Sequence, residues 1–162
     1  NANLTGANLT ATDLTSVISG GITGSPTLPA NWKLINGYLI GPGANLSNAD
    51  LTTANLVGVR SGGVTGTPAL PTDWKLIGGF LIGPGANLSN ATLSGFDLTG
   101  TSLLGANLTG VRSGAIVFRD GYAPALPADW RLMGGYLFGP HANLTAFAIE
   151  PETFFHFNFV DI

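Results

Sequence analysis

The chain has 162 residues, of which only 9% are charged and 24 are glycine, with a net charge of −3 and no cysteine. Six Lys and Arg are too few for a phosphate-tracking surface, and the acids are too sparse for a face that imitates DNA. The missing thiols exclude disulfides, thiolate metal sites and Cys nucleophiles, and no run of 18 apolar residues is present to cross a membrane as a helix.

Three five-residue units open the chain over residues 2–16, three more fill 44–58, and five fill 86–110. In the longest run Leu88, Leu93, Leu98, Leu103 and Leu108 fall every fifth residue, each two places after Ala86, Ala91, Phe96, Thr101 or Ala106. Asn or Asp tends to precede the Leu, and Ser or Thr to follow it. A period of five matches neither a helix nor a long strand. Units this short have no second layer of their own, so they must stack as a solenoid.

A longer block interrupts the units three times, at about 17–43, 59–85 and 111–141, the third carrying four extra residues. Leu34, Leu39 and Ala44 lie five apart, so WKLINGYLIGPG is expected to run in phase with the solenoid. Its two extra residues would then bulge as a corner loop from 23–31. The rival is a hairpin turning on Asn36-Gly37, with Gly78-Gly79 and Gly134-Gly135 as its equivalents. Ser19, Asn36 and Gly41 hold the Leu position in the first block. They are too small to fill a close-packed interior, so Trp32, Leu28 or Ile22 should turn in. If a block takes five sides of the solenoid, Trp32 and Trp74 share a face and Trp130 lies opposite.

At the end of the chain Ile149, Phe154 and Phe159 stand at the central position. Solenoid ends expose unpaired edges, so Phe154, Phe155, Phe157 and Phe159 mark an end where rods would meet. Asn1 opens in mid-repeat, and the expectation is one solenoid over 1–162 taken from a longer chain.

The unit resembles that of the pentapeptide-repeat family, written A(D/N)LXX. The resemblance implies an all-β fold, a right-handed quadrilateral parallel β-helix with one unit per side and loops protruding from its corners. The Leu and the small residue two before it would point inward. At this length it implies roughly eight coils and about 40 Å of rod. The family includes topoisomerase-binding DNA mimics, but only Asp13, Asp50 and Asp97 hold the acidic position here, which ranks that activity last.

No catalytic constellation is present, and we expect a non-enzyme with no metal and no cofactor. His141 and His156 stand apart, and Glu150 and Glu152 flank Pro151 in a solvated turn. The Asn-Leu-Thr/Ser triplets at Asn3, Asn8, Asn45, Asn87, Asn107 and Asn143 match the glycosylation sequon but fall out of the unit itself. Their amides are expected to stack in ladders from coil to coil.

Binding features are confined to the blocks. Trp32, Trp74 and Trp130 are followed by Lys33, Lys75 and Arg131 and, six residues on, by Tyr38, Phe80 and Tyr136. Aromatic faces beside Asn and Thr suit a sugar; the other role for the Trp side chains is to fill the core. The loop 116–124, with Arg119, Asp120 and Tyr122, is a charged, aromatic tip of the kind that meets partners. The leading expectation is a structural scaffold, a rigid rod pairing with itself or another protein as a fibre or surface assembly. The alternative is a carbohydrate-binding or adhesin module using the Trp blocks and the loop. Ice binding by ranks of Asn and Thr comes behind both.

Overall fold

The computed structural model describes residues 1–145. It is all-β, with no helix among those residues. The strand content divides into isolated parallel bridges and three short hairpins.

The five-residue unit explains the bridges. Asn3 pairs with Thr23, Asn45 with Thr65, Asn87 with Asn107 and Thr92 with Arg112, each in parallel and each 20 residues on. Four units therefore complete one turn, and each bridged pair sets one turn on the next in the same column. At the bridge of Asn45 to Thr65 the chain donates once and accepts once: Leu46 N–H to Thr65 O at 2.9 Å, and Thr65 N–H to Ala44 O at 3.0 Å.

Corners follow from the same five positions. The C=O of Leu4 accepts from Ala7 N–H, and Leu46, Leu88 and Leu103 close their corners likewise onto Ala49, Ala91 and Ala106. The third residue of such a corner has positive φ where it is Gly, Asn or Ser, as at Gly6, Asn48, Asn90 and Gly105. A type II turn needs that geometry, which is why the last place of the unit favours Gly.

The inward positions are as the unit requires. Leu46, Leu51, Leu56, Leu88, Leu93, Leu98, Leu103 and Leu108 are at most 2% exposed, and Ala44, Ala49, Ala54, Ala86, Ala91 and Ala106 are buried beside them. Thr101, in an alanine place, is buried and donates its hydroxyl to Leu98 O at 2.9 Å. Phe96, in another, is half-buried against Phe80 with ring centroids 6.1 Å apart.

The blocks differ from the in-phase expectation. β1 (Lys33–Ile35) pairs antiparallel with β2 (Tyr38–Ile40), β3 (Lys75–Ile77) with β4 (Phe80–Ile82), and β5 (Arg131–Met133) with β6 (Tyr136–Phe138). The turn residues have φ of +49° and +81° at Asn36-Gly37, +55° and +81° at Gly78-Gly79, and +54° and +80° at Gly134-Gly135. Two positive φ values in a two-residue loop make a type I′ turn, the one whose twist matches a hairpin. The hairpin reading is therefore correct, and the 23–31 bulge is not. Thr23 and Thr27 sit in the wall, bridged to Asn3 and Asn8.

Each block makes one turn. Ile18 is bridged to Asn45, Arg60 to Asn87 and Arg112 to Asn143, spanning 27, 27 and 31 residues where a plain turn spans 20. Four sides, not five, set the positions of the tryptophans. Three units between the first two blocks place the second hairpin a quarter turn back, and five between the next two return it. Trp32 and Trp130 therefore share a side, and Trp74 lies on the neighbouring one.

The hairpins do not protrude. Leu39, Ile40, Leu81, Ile82, Leu137 and Phe138 are buried. In the third block the stretch 118–123 is exposed at every residue. The β4 strand divides the core: Leu81 joins the cluster below, Ile82 the cluster above, and Trp74 packs against both. Alternate strand residues point to opposite faces, so one short strand serves two layers of core.

Candidate functional site

The three blocks gather nearly all the residues with binding chemistry. Each hairpin is fixed from below by its turn and by a serine. Gly37 O accepts from Ile22 N–H at 3.0 Å, and Ser19 Oγ from Leu39 N–H at 2.8 Å. The second block repeats this with Val64 to Gly79 O (3.0 Å) and Leu81 to Ser61 Oγ (2.9 Å). The third has Ile116 to Gly135 O (3.1 Å) and Leu137 to Ser113 Oγ (2.8 Å). Serine replaces the inward leucine here because a hairpin amide needs an acceptor inside the wall.

The cations that follow the tryptophans reach the turn above or their own backbone. Lys33 Nζ donates to Val57 O at 3.0 Å and Lys75 Nζ to Thr99 O at 2.7 Å. Arg131 donates to Trp130 O at 2.9 Å. In the first block Asn36 Nδ2 donates to Thr53 Oγ1 and Tyr38 Oη accepts from Asp50 N–H, both at 3.3 Å.

The indoles lie on glycines. A Cβ built on Gly41, Gly83 or Gly139 would fall among the ring carbons of Trp32, Trp74 or Trp130 respectively. Trp32 and Trp74 are half-buried, and Trp130 is only 6% exposed. The place vacated by the small residue at 41 is thus taken by Trp32. Tyr38, Phe80 and Tyr136 pack their rings beside Gly20, Gly62 and Gly114. Of the expected site residues, then, the Trp, cation and aromatic of each block come together, but around the hairpin rather than on an open face.

The Asn side chains do not use their oxygens for ladders. Asn3 Oδ1 accepts from Thr5 N–H at 3.0 Å and Thr5 Oγ1 at 2.6 Å, and Asn8, Asn45, Asn55, Asn87, Asn107 and Asn143 accept in the same way from the backbone two residues on. This is an Asx turn, which holds the corner of the residue's own unit. Only an acceptor is required, so Asp13, Asp50 and Asp97 serve equally.

Those aspartates titrate low. Thr15 N–H holds the Asp13 carboxyl below the usual carboxylate range, and the Thr52 hydroxyl and amide do the same for Asp50. The Thr99 hydroxyl and amide lower Asp97, with Lys75 and Arg119 adding to the effect. A carboxyl whose folded pKa lies below its unfolded value stabilises fully above the unfolded value and loses that contribution as pH falls through the folded one. Asn does not titrate. The variant D13N/D50N is therefore expected to show a flatter loss of stability than the parent below about pH 4, read from denaturation midpoints between pH 7 and 2.

The tip of the third block is different. Asp97 is bridged to Val117 and Ser102 to Ala125, so eight residues span a step that takes four in the first two blocks. The extra residues close a turn from Arg119 O to Tyr122 N–H at 2.9 Å. They are tied to the wall by Arg119 N–H on Thr99 Oγ1 at 3.0 Å and by Gly100 N–H on Tyr122 O at 2.7 Å. Phe118, Arg119, Asp120 and Tyr122 are exposed.

Among the described residues no group of three or more His, Cys, Asp or Glu could hold a metal, and no helix is long and apolar enough to cross a membrane. The Phe154, Phe155, Phe157 and Phe159 end, with His156, Glu150 and Glu152, lies outside the described residues.

Residues 85–112 match the family model for pentapeptide repeats in its eight-copy form. This stretch carries pentapeptide repeats. The matched stretch is the longest uninterrupted run, where the leucine column is complete and no hairpin intervenes. No curated protein and no solved structure matches the sequence significantly. Pentapeptide repeats imply a β-helix, in keeping with the parallel bridges.

Proposed function

We propose that the protein is a non-enzymatic scaffold: a right-handed quadrilateral β-helical rod that pairs with further copies along its sides or at its ends. What supports this reading is the unbroken succession of bridges between Asn3 and Asn143, handed from one column to another along the chain. Each turn is hydrogen-bonded to the next on at least one side, including across every hairpin. A stack tied in this way transmits force along its length. Its exterior is Asn, Thr, Ser and Gly with few charges, so self-repulsion between copies is weak. A secreted or cell-surface assembly suits such a rod.

The test is negative-stain microscopy of the natural product with sizing over a hundredfold range of concentration. Filaments, and a mass that grows with concentration, are the expected result. A monodisperse monomer at every concentration would sink the assembly reading and leave a solitary rod.

A further inference from the structure

The loop at 118–123 is where the third block departs from the other two, and the fold does not need it. The steps from Thr23 to Thr27 and from Thr65 to Ala69 cross the same part of their blocks without any insertion. In the third block the added residues are nevertheless held in one conformation, by the turn and two wall hydrogen bonds described above. They leave Phe118 40% and Tyr122 60% exposed. An anchored loop that keeps two rings in solvent is preorganised for contact, because the ordering is complete before any ligand arrives.

The wall beneath it is unusual for this chain. The Asp97 carboxylate lies within the influence of both Lys75 and Arg119, in a sequence with only 9% charged residues. The cluster has donors and acceptors without a strong net charge. That suits a ligand rich in hydroxyls and poorly suits a polyanion. The loop is also small. A stable protein partner buries about 800 Å² on each side, more than six residues offer, whereas a short stretch of extended polymer needs far less.

We propose that Phe118 and Tyr122, with Arg119 and Asp97 between and beneath them, form a binding site for a neutral β-linked pyranose chain. Equatorial linkages give such chains flat C–H faces, which stack on aromatic rings while the hydroxyls at the rim meet the carboxylate and guanidinium. Trp130 takes no part, since it is buried. The site is independent of whether the rod assembles.

Affinity electrophoresis of the full chain tests this, in gels containing xyloglucan, mixed-linkage β-glucan or galactomannan, with polygalacturonate as the charged comparison. At least one neutral polymer is expected to retard the protein. Tyr122→Ala and Phe118→Ala should each weaken retardation at least tenfold while leaving the melting temperature unchanged, because both side chains lie outside the core. No retardation by any neutral polymer overturns the site, as does retardation by polygalacturonate alone or equal retardation of the variants. If Tyr122→Ala instead abolishes concentration-dependent growth in sizing, the loop is a contact between copies and the glycan assignment is wrong.

Discussion

Replacing Gly83 by alanine is expected to destabilise the protein by about 3 kcal/mol, the upper part of the range for overpacking a filled core. The added methyl would stand 2.6 Å from Trp74 Cγ and 2.7 Å from Cε2. A flexible side chain could swing away from such a contact, but an indole is rigid and its neighbours are fixed. Trp74 packs on both core clusters, so moving it disturbs the layers above and below the second hairpin together. For a domain of this size the melting temperature should fall by roughly 6–12 °C. The double variant G83A/W74L supplies the control. Removing the indole makes room for the methyl, so the two losses should be strongly non-additive in a double-mutant cycle. Additive losses would show that the glycine matters for some reason other than the ring above it.

Ser113→Ala is the second substitution with a large expected effect, about 2 kcal/mol. Alanine fits the space, so packing changes little, but the Leu137 amide loses its acceptor in a place where Ser113 is only 3% exposed. A buried donor left without a partner carries the full desolvation penalty. Ser61→Ala should behave alike, while Ser19→Ala should do less, because Ser19 is only half-buried and its site is wetter. Denaturation midpoints across the three variants measure the gradient. Hydrogen exchange at the Leu137 amide separates this cause from a general loosening: it should speed up by more than the global unfolding free energy accounts for. An equal loss in all three variants would remove burial as the explanation.

The solenoid was legible because its signal is redundant. Leucine at every fifth place from Leu88 to Leu108 has no other economical packing, and the small residues two before each leucine agree with it. The tryptophans were half legible. Glycine at 41, 83 and 139 signalled missing volume, and the nearest large side chain supplied it. The hairpins were hidden by a coincidence of spacing: Leu34, Leu39 and Ala44 keep the five-residue interval although Leu34 and Leu39 are cross-strand partners. Strands of three residues are too short to show alternation, so the turn pair Asn36-Gly37 was the stronger clue. The corner role of Asn could also have been read directly. Asp13, Asp50 and Asp97 share its position, and a carboxylate has no amide hydrogens with which to build a ladder. The anchoring of the 118–123 loop on Thr99 and Gly100 had no signal in sequence, since it depends on which residues the third block lays beside the turn before it.

That each block closes one whole turn has a further consequence, for how such a chain can change length. A block behaves as a cassette: deleting or duplicating one would leave every later unit in its original column, because the chain re-enters the wall where it left. A single five-residue unit behaves in the opposite way. Adding one rotates all that follows by a quarter turn and carries the next hairpin, with any loop on it, to a different side of the rod. Growth by blocks preserves the pattern of faces, and growth by units redraws it.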